Sequence, residues 1–350
     1  MKTACAFDPF CLSSFLAFRY VVDETAEWIP GVRPQWPSIE PHRQIRVSNA
    51  DQVLDALRGL VQQIARDPRV GLLLSGGIDS AILAALLPRG TPAYTVRFDV
   101  DGAVDESSTA AVYAERCGLR HKVVPVSWDD YQQHMDGLMA RKQSPLHPVE
   151  VGLHIAARAA ADDGINTLIV GNGADSTFGG LDRLLSRDWT LDEFIVRYTF
   201  VEPSAVLREA VSMRAAFAGY EGAGRFDTSG FLKEVHGRGI VQAFENAIHA
   251  AGCVSVAPYE SLALGVPLDL ARIRRGEPKY LLREVFTRLY PGMPVAEKIA
   301  FARPMDVWMK SWSATYREEF KPHLDVRYFS GEQKWLLYCL ERFLDLVEGE

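Results

Sequence analysis

The sequence predicts an α/β protein: a core built on a parallel sheet, followed by a largely α-helical C-terminal half. Three observations predict it. Short apolar runs alternate with helical stretches up to about residue 180, which implies parallel strands joined by right-handed crossovers. The run at 70–87, VGLLLSGGIDSAILAALL, is an apolar strand that breaks at a glycine turn and continues as an apolar helix. From about Leu181 the strand signals stop and helical patterns dominate to Glu350.

Residues 1–47 read as an N-terminal extension. They are rich in aromatics and prolines and have no clear period, as expected of irregular or partly stranded chain packed on the main body. The core spans 48–180. Ser48-Asn49-Ala50-Asp51 resembles a helix start with a Ser-x-x-acid cap, and Val53, Leu54, Leu57, Val61 and Ile64 then form one apolar stripe. After the strand at 70–74 comes the turn Ser75-Gly76-Gly77-Ile78-Asp79-Ser80, then a helix that Pro88 and Gly90 stop. A second strand is expected at 92–98, a helix capped by Asp105 at 105–117, a third strand at 121–126, and helices at 128–142 and 149–163. The fourth strand, 167–171, leads into Asn172-Gly173-Ala174-Asp175. Ligands of such sheets bind at the carboxyl ends of the strands, where Ser75 and Asp175 both lie. Residues 181–350 follow without a low-complexity linker or internal repeat, so the helical, substrate-binding portion is expected to pack directly on the core.

Composition narrows the partners. The 350 residues carry 38 basic and 45 acidic side chains, a formal charge of −7, with no basic tract, so no nucleic-acid partner is indicated. Cys5, Cys11, Cys117, Cys253 and Cys339 form no CxxC pair, as expected of reduced thiols in a cytoplasmic protein. The histidines lack metal-ligand spacing; Pro148 separates His147 from His154, which reads as a structural pair. No apolar run approaches the ~18–20 residues of a membrane span, and the N-terminus lacks a basic-then-apolar signal pattern.

The first glycine turn carries chemistry. Its glycines let the backbone approach a bound group, and the helix N-terminus behind it offers N–H donors and a positive dipole end to an anion such as pyrophosphate. Ser75 and Ser80 add hydroxyls, and Asp79 can hold Mg²⁺ against phosphates. The bland reading is a tight turn capped by Asp79. SGGIDS in this strand–turn–helix setting resembles the pyrophosphate loop of the ATP pyrophosphatase superfamily, with its adenine nucleotide α-hydrolase-like core, and no GxxxxGK[ST] string occurs.

The second turn, LIVGNGADSTFGG at 168–180, makes the resemblance specific. With the first, it resembles the synthetase domain of asparagine synthetases and β-lactam synthetases. Pro278-Lys279-Tyr280-Leu281-Leu282-Arg283, then Leu289-Tyr290-Pro291 and Lys298-Ile299-Ala300-Phe301, match the family's K-x-LR helix, proline and loop lysine; FLAFR at 15–19 looks like the linker before its synthetase domain. The resemblance implies an ATP-dependent amide ligase, in which a carboxylate attacks the α-phosphate of ATP and an amine displaces AMP. Carried over by position, Leu74, Val96 and Gly171 would line the nucleotide pocket, and Ser75, Gly76, Gly77 and Ser80 would hold the pyrophosphate portion. Asp79 and Asp175 would share Mg²⁺, and Lys298 would stabilise charge at the α-phosphate. Asp175 could instead be only a helix N-cap. Lys298 could be a solvated lysine, although the chain has 9 Lys against 29 Arg. Lys279 either contacts phosphate or sits on a helix exterior; Glu106 and Arg283 read as structural ion-pair members.

Three departures bear on the substrate. Glutamine-using members begin with a cysteine and a whole glutaminase domain, whereas here SGGIDS arrives at residue 75. The expected amine is therefore free ammonia, ammonia from a separate glutaminase subunit, or an amine already on a substrate. Asn172 stands where asparagine synthetases have Glu and β-lactam synthetases Tyr, and a neutral amide is no general base near pH 7. The family's E-x-R-x-P-x-x-D segment is replaced by Val254-Ser255-Val256-Ala257-Pro258-Tyr259-Glu260-Ser261, so the expected acidic and basic groups are missing. Glu260 or Tyr259 could supply a base. Ordinary aspartate is thus disfavoured, and the expected acid is a small-molecule or peptide carboxylate. Intramolecular amidation, as in β-lactam synthetases or lasso-peptide cyclases, stays open. So do a non-catalytic nucleotide-binding subunit and a homodimeric assembly; a sulfur-transferring or tRNA-modifying pyrophosphatase is opposed by the charge and the dispersed cysteines.

Overall fold

The structure, a computed structural model, describes residues 6–37, 44–222, 224–295, 303–314 and 316–349. Its centre is a five-stranded parallel sheet in the order Arg120–Val126, Pro92–Phe98, Val70–Leu73, Thr167–Ile169, Val254–Val256. The order reverses beside Val70–Leu73, where the chain stops adding strands on one side and begins on the other. Leu72 pairs with Ile169 across that switch point, so the two glycine turns leave neighbouring strands side by side.

Helices cover both faces. Ile78–Leu86 packs against Ala50–Ile64 and Tyr280–Leu289, and Glu150–Asp162 packs against Gly237–His249. The Ala50–Ile64 stripe buries Val53, Leu57 and Val61, as its period demands. Its cap is one residue later than the sequence suggested. Asn49 accepts from the Gln52 N–H at 3.0 Å, and Gln52 Oε1 accepts from the N–H of Ser48, the residue before the cap, at 2.8 Å, while Asp51 takes no part.

Three elements depart from expectation. The N-terminal extension contains a helix, Pro9–Phe18, capped by Asp8, whose Oδ1 accepts from the Phe10 N–H at 2.7 Å. It joins two clusters: Phe18 packs in the core around Phe194, Phe217 and Phe231, while Leu12 and Phe15 pack with Trp28 and Trp335. A helix buried on all sides has no polar stripe, hence no period to read. The fifth strand, Val254–Val256, lies in the portion read as helical, as does Leu262–Leu264, which pairs in parallel with Ile45–Val47 of the partly stranded extension. Elsewhere in 181–349 helices dominate, ending in Gly331–Gly349, and no described helix is long and apolar enough to cross a membrane.

Candidate active site

The central strand delivers the first turn with its pairing intact to the lip. The Leu74 N–H donates to Tyr94 O at 2.8 Å, and Leu74 O accepts from Thr95 Oγ1 at 2.6 Å. Val96, partly buried, stands two residues further along that neighbouring strand. Ser80 then ties the turn shut: its hydroxyl accepts from the Ser75 N–H at 3.0 Å and lies 3.1 Å from the carbonyls of Ser75 and Gly77. Ser75 Oγ accepts from the Gly77 N–H at 3.2 Å. A side chain at Gly76 would crowd Glu106, whose Cβ would be 3.1 Å from the added Cβ. Gly77 caps Ile78–Leu86 without any side-chain hydrogen bond, so the first-turn N–H groups face whatever the turn holds.

Asp79, in the first turn of that helix, and Asp175, in the first turn of Ala174–Phe178, meet at one ammonium group. Lys279 Nζ contacts Asp79 Oδ2 and lies 2.8 Å from Asp175 Oδ1. Lys279 is buried and adopts φ +55°, a left-handed conformation uncommon for a residue with a Cβ. Burial opposes its charge, but Asp79 and Asp175 outweigh burial and push its pKa above the ordinary lysine value. The helix-exterior reading of Lys279 is therefore wrong. Asp175 lies in the helix's first turn rather than at its cap, which is Gly173. Gly180 makes the meeting possible: a Cβ there would overlap Asp175 Oδ1 and Lys279 Cε.

Two carboxylates on adjacent strand ends, already gathering a cation, are the donors Mg²⁺ takes when substrate phosphates supply the rest. Among the described residues no group of three or more His, Cys, Asp or Glu side chains that could hold a metal ion assembles.

Beside the second turn opens a cavity of about 910 Å³, lined in part by Gly171, Asn172, Asp175, Phe200, Phe244 and Glu260. The segment that replaces E-x-R-x-P-x-x-D forms the edge strand and the turn Pro258–Ser261, and so returns an acid to the site from another position. Glu260 packs on Gly173, where an added Cβ would lie 2.8 Å from Glu260 Cγ. Burial first, and Glu245 second, push the Glu260 carboxyl up to about 7. Tyr259 is not available as a base: it is fully buried, its hydroxyl donates to Asp79 O at 2.9 Å, and burial pushes its pKa well up.

The structure thus places Leu74, Ser75, Gly76, Gly77, Asp79, Ser80, Gly171, Asn172 and Asp175 at or just beyond adjoining strand ends, with Val96 on the neighbouring strand and Lys279 reaching in from the N-cap of Tyr280–Leu289. Lys298 lies outside the described residues. Glu106 and Arg283 make no ion pair among the described residues; Glu106 instead walls Gly76, and burial, then Asp105, raise its pKa. Gly180 had a signal in the sequence, the FGG after the second turn. Arg19, which also lines the cavity, closes the FLAFR segment, but nothing in that segment marked it as a cavity residue; His147, on the same wall, sits in no matched motif.

Several known proteins are similar to part of this chain. A protein of Mycobacterium tuberculosis named "Putative asparagine synthetase", glutamine-hydrolyzing, is 32% identical over 148 residues, 41% of this chain and 22% of that protein. One of the same name, numbered 1, from Methanocaldococcus jannaschii is 30% identical over 142 residues, 38% of this chain and 24% of that protein. "Amidase chry2" of Gibberella zeae is 27% identical over 173 residues, 43% and 26% of the two chains. The matches span about a quarter of the length of these relatives. Residues 52–240, more than half of the 350, match the asparagine synthase family, which implies ATP use, and both glycine turns and the cavity beside them fall within or against that stretch. With its switch-point glycine turns and this match, the chain belongs to the asparagine synthase family.

Proposed function

We propose that this protein is an ATP-dependent amide ligase that adenylates a carboxylic acid and transfers the acyl group to ammonia or an amine. The observation that carries this reading is the meeting of Asp79, Lys279 and Asp175 at the mouths of both glycine turns, against a substrate-sized cavity. A carboxylate oxygen attacks the α-phosphorus of ATP and pyrophosphate leaves. The amine nitrogen then attacks the acyl carbon, gives up a proton, and AMP departs with one of the original carboxylate oxygens.

Each residue has a physical task. The Ser75–Ser80 turn and the N–H groups behind it bind the pyrophosphate portion, and Leu74, Val96 and Gly171 flank the nucleotide. Asp79 and Asp175 would hold Mg²⁺, which neutralises phosphate charge when bound. Lys279 fixes both carboxylates and adds a permanent positive charge where negative charge builds up. Lys298 is assigned charge stabilisation at the α-phosphate from its place in the family motif. Asn172 orients the acceptor, and Glu260, with a pKa near working pH, takes the proton from the amine.

The cavity, about 910 Å³, favours an acid larger than a free amino acid, and intramolecular amidation would use the same steps. The test is pyrophosphate release from ATP and Mg²⁺ across a panel of carboxylic acids, with and without ammonium. Release that depends on a particular acid supports adenylation, and a further rise with ammonium names the amine. No release with any acid rejects the ligase in favour of a nucleotide-binding subunit without chemistry.

A further inference from the structure

Three side chains meet in the cavity on walls that the glycine turns do not supply. Arg19 ends the helix Pro9–Phe18 with φ +69°, a position that usually falls to glycine. Its guanidinium carbon lies 3.7 Å from the centroid of the Phe200 ring. Among the described residues it makes no ion pair, and its Nε is sealed from solvent without a hydrogen-bond partner. His147, 3% exposed, accepts from the Val149 N–H through Nδ1 at 3.3 Å. That bond leaves the proton of the neutral ring on Nε2, which is also buried and unpartnered. Arg303 completes the wall, its Nε donating to Glu332 Oε1 at 2.7 Å.

The protonation states are settled by their surroundings. Burial, with Arg19, Arg303, Lys142 and His236 adding to it, holds His147 well below the usual histidine value, so it is a neutral N–H donor. Burial lowers Arg19 to about 10, Tyr198 and Glu332 pulling it back and Arg303 adding to the fall, so it remains a cation at neutral pH. The loop that carries His147 is rigidly set: Glu150 Oε1 accepts from the His147 N–H at 2.7 Å and from Lys142 Nζ at 2.5 Å, and Glu150 Oε2 accepts from Asn246 at 2.7 Å. A guanidinium with a sealed, unbonded Nε and no ion pair among the described residues, beside an unused N–H donor, carries a cost to folding that a bound anion lowers.

We propose that Arg19, His147 and Arg303 form a carboxylate-recognition site, which anchors a second carboxylate of the acid, carried at a distance from the one that is activated. A single unpaired guanidinium with its fork and one neutral N–H matches a planar, singly charged group; a phosphate monoester would bring nearly two negative charges against it. Two of the exposed cations at the cavity are otherwise engaged, Arg238 pairing with Glu24 and Lys233 donating to Gln44 at 3.3 Å, while Arg197 is exposed to solvent and lacks the burial that makes Arg19 select an anion. The site rests on the ligase reading only for which molecule carries the carboxylate.

The test reads binding apart from chemistry. Calorimetric titration of the full chain with the α,ω-dicarboxylates from succinate to suberate, and with their dimethyl esters, needs no ATP. At least one diacid binds and its dimethyl ester does not; Arg19→Met weakens binding by about tenfold or more, and His147→Phe weakens it less. ATP affinity, measured on the same variants, is unchanged and reports that they are folded. No binding by any diacid, or binding that both variants leave intact, overturns the site. ATP–pyrophosphate exchange with the diacids and their monomethyl esters separates the two readings. Monoesters as good as diacids overturn the carboxylate anchor and leave the ligase standing. Diacid binding through Arg19 without any exchange upholds the anchor and overturns the ligase.

Discussion

Gly180 stands where any side chain would collide with Asp175: a Cβ on it would overlap the carboxylate oxygen that Lys279 contacts. Both obstructing atoms are ends of flexible side chains, so Gly180→Ala can be accommodated by moving them, and the bridge rather than the fold is lost. The expected outcome is a stability loss of no more than about 1–2 kcal/mol, as for a modest overpacking, with pyrophosphate release reduced about 100-fold by misplacement of the charged groups. Chemical denaturation and an initial-rate assay on one preparation check both halves.

Lys279 is the cation on which two strand ends converge. Replacing it with methionine keeps the apolar stem but leaves Asp79 and Asp175 facing each other. Acid-dependent pyrophosphate release should fall by about 10²–10³, the usual range for removing a preorganised electrostatic contact. Asp79→Ala should abolish release. An active Asp79→Ala enzyme would remove that residue from the site.

Glu260 sets the acid limb of the pH profile. A base must be unprotonated, and the Glu260 carboxyl titrates at about 7, so kcat/KM for amide formation should fall about tenfold per pH unit below that value and level off above it. Lys279, held above its ordinary pKa, supplies no alkaline limb near neutrality. In Glu260→Gln the limb near 7 should vanish together with most of the amidation rate, while ATP–pyrophosphate exchange persists. A limb that survives the substitution belongs to another group.

Lys142 and Glu150 form an ion pair with both side chains essentially sealed from water, and that pair sets the loop before Glu150–Asp162. Lys142→Met would leave a buried carboxylate without its cation. Unfolding should become easier by about 3–5 kcal/mol, measured by urea titration at pH 7. A change within about 0.5 kcal/mol would show that the site relaxes or that the carboxyl simply takes up a proton.

Where an element carries its own local pattern, the sequence was sufficient. The strand Pro92–Phe98 and the helix Trp128–Lys142 fall on their expected bounds, the latter closed by the Ser127–Asp130 capping box. The pattern fails where burial is uniform or the element is very short. Pro9–Phe18 is apolar all round because two clusters enclose it, and only Asp8-Pro9, a cap followed by a first-turn proline, betrays it. Val254–Val256 has three residues and gains its strand character from pairing with Thr167–Ile169, not from alternation. The same holds for the site. Two glycine turns are contiguous motifs and legible, whereas Arg19, His147 and Glu260 meet only because the fold brings distant segments to one cavity.

If a carboxylate of the acid attacks the α-phosphorus of ATP, one of its oxygens must leave with AMP. The acid that supports pyrophosphate release would be labelled with oxygen-18 in its carboxylate, turned over with ATP and the amine, and the nucleotide products analysed by mass spectrometry. An acyl-adenylate predicts AMP carrying one labelled oxygen and unlabelled pyrophosphate. Label in inorganic phosphate with ADP as the nucleotide product, or unlabelled AMP, would contradict it.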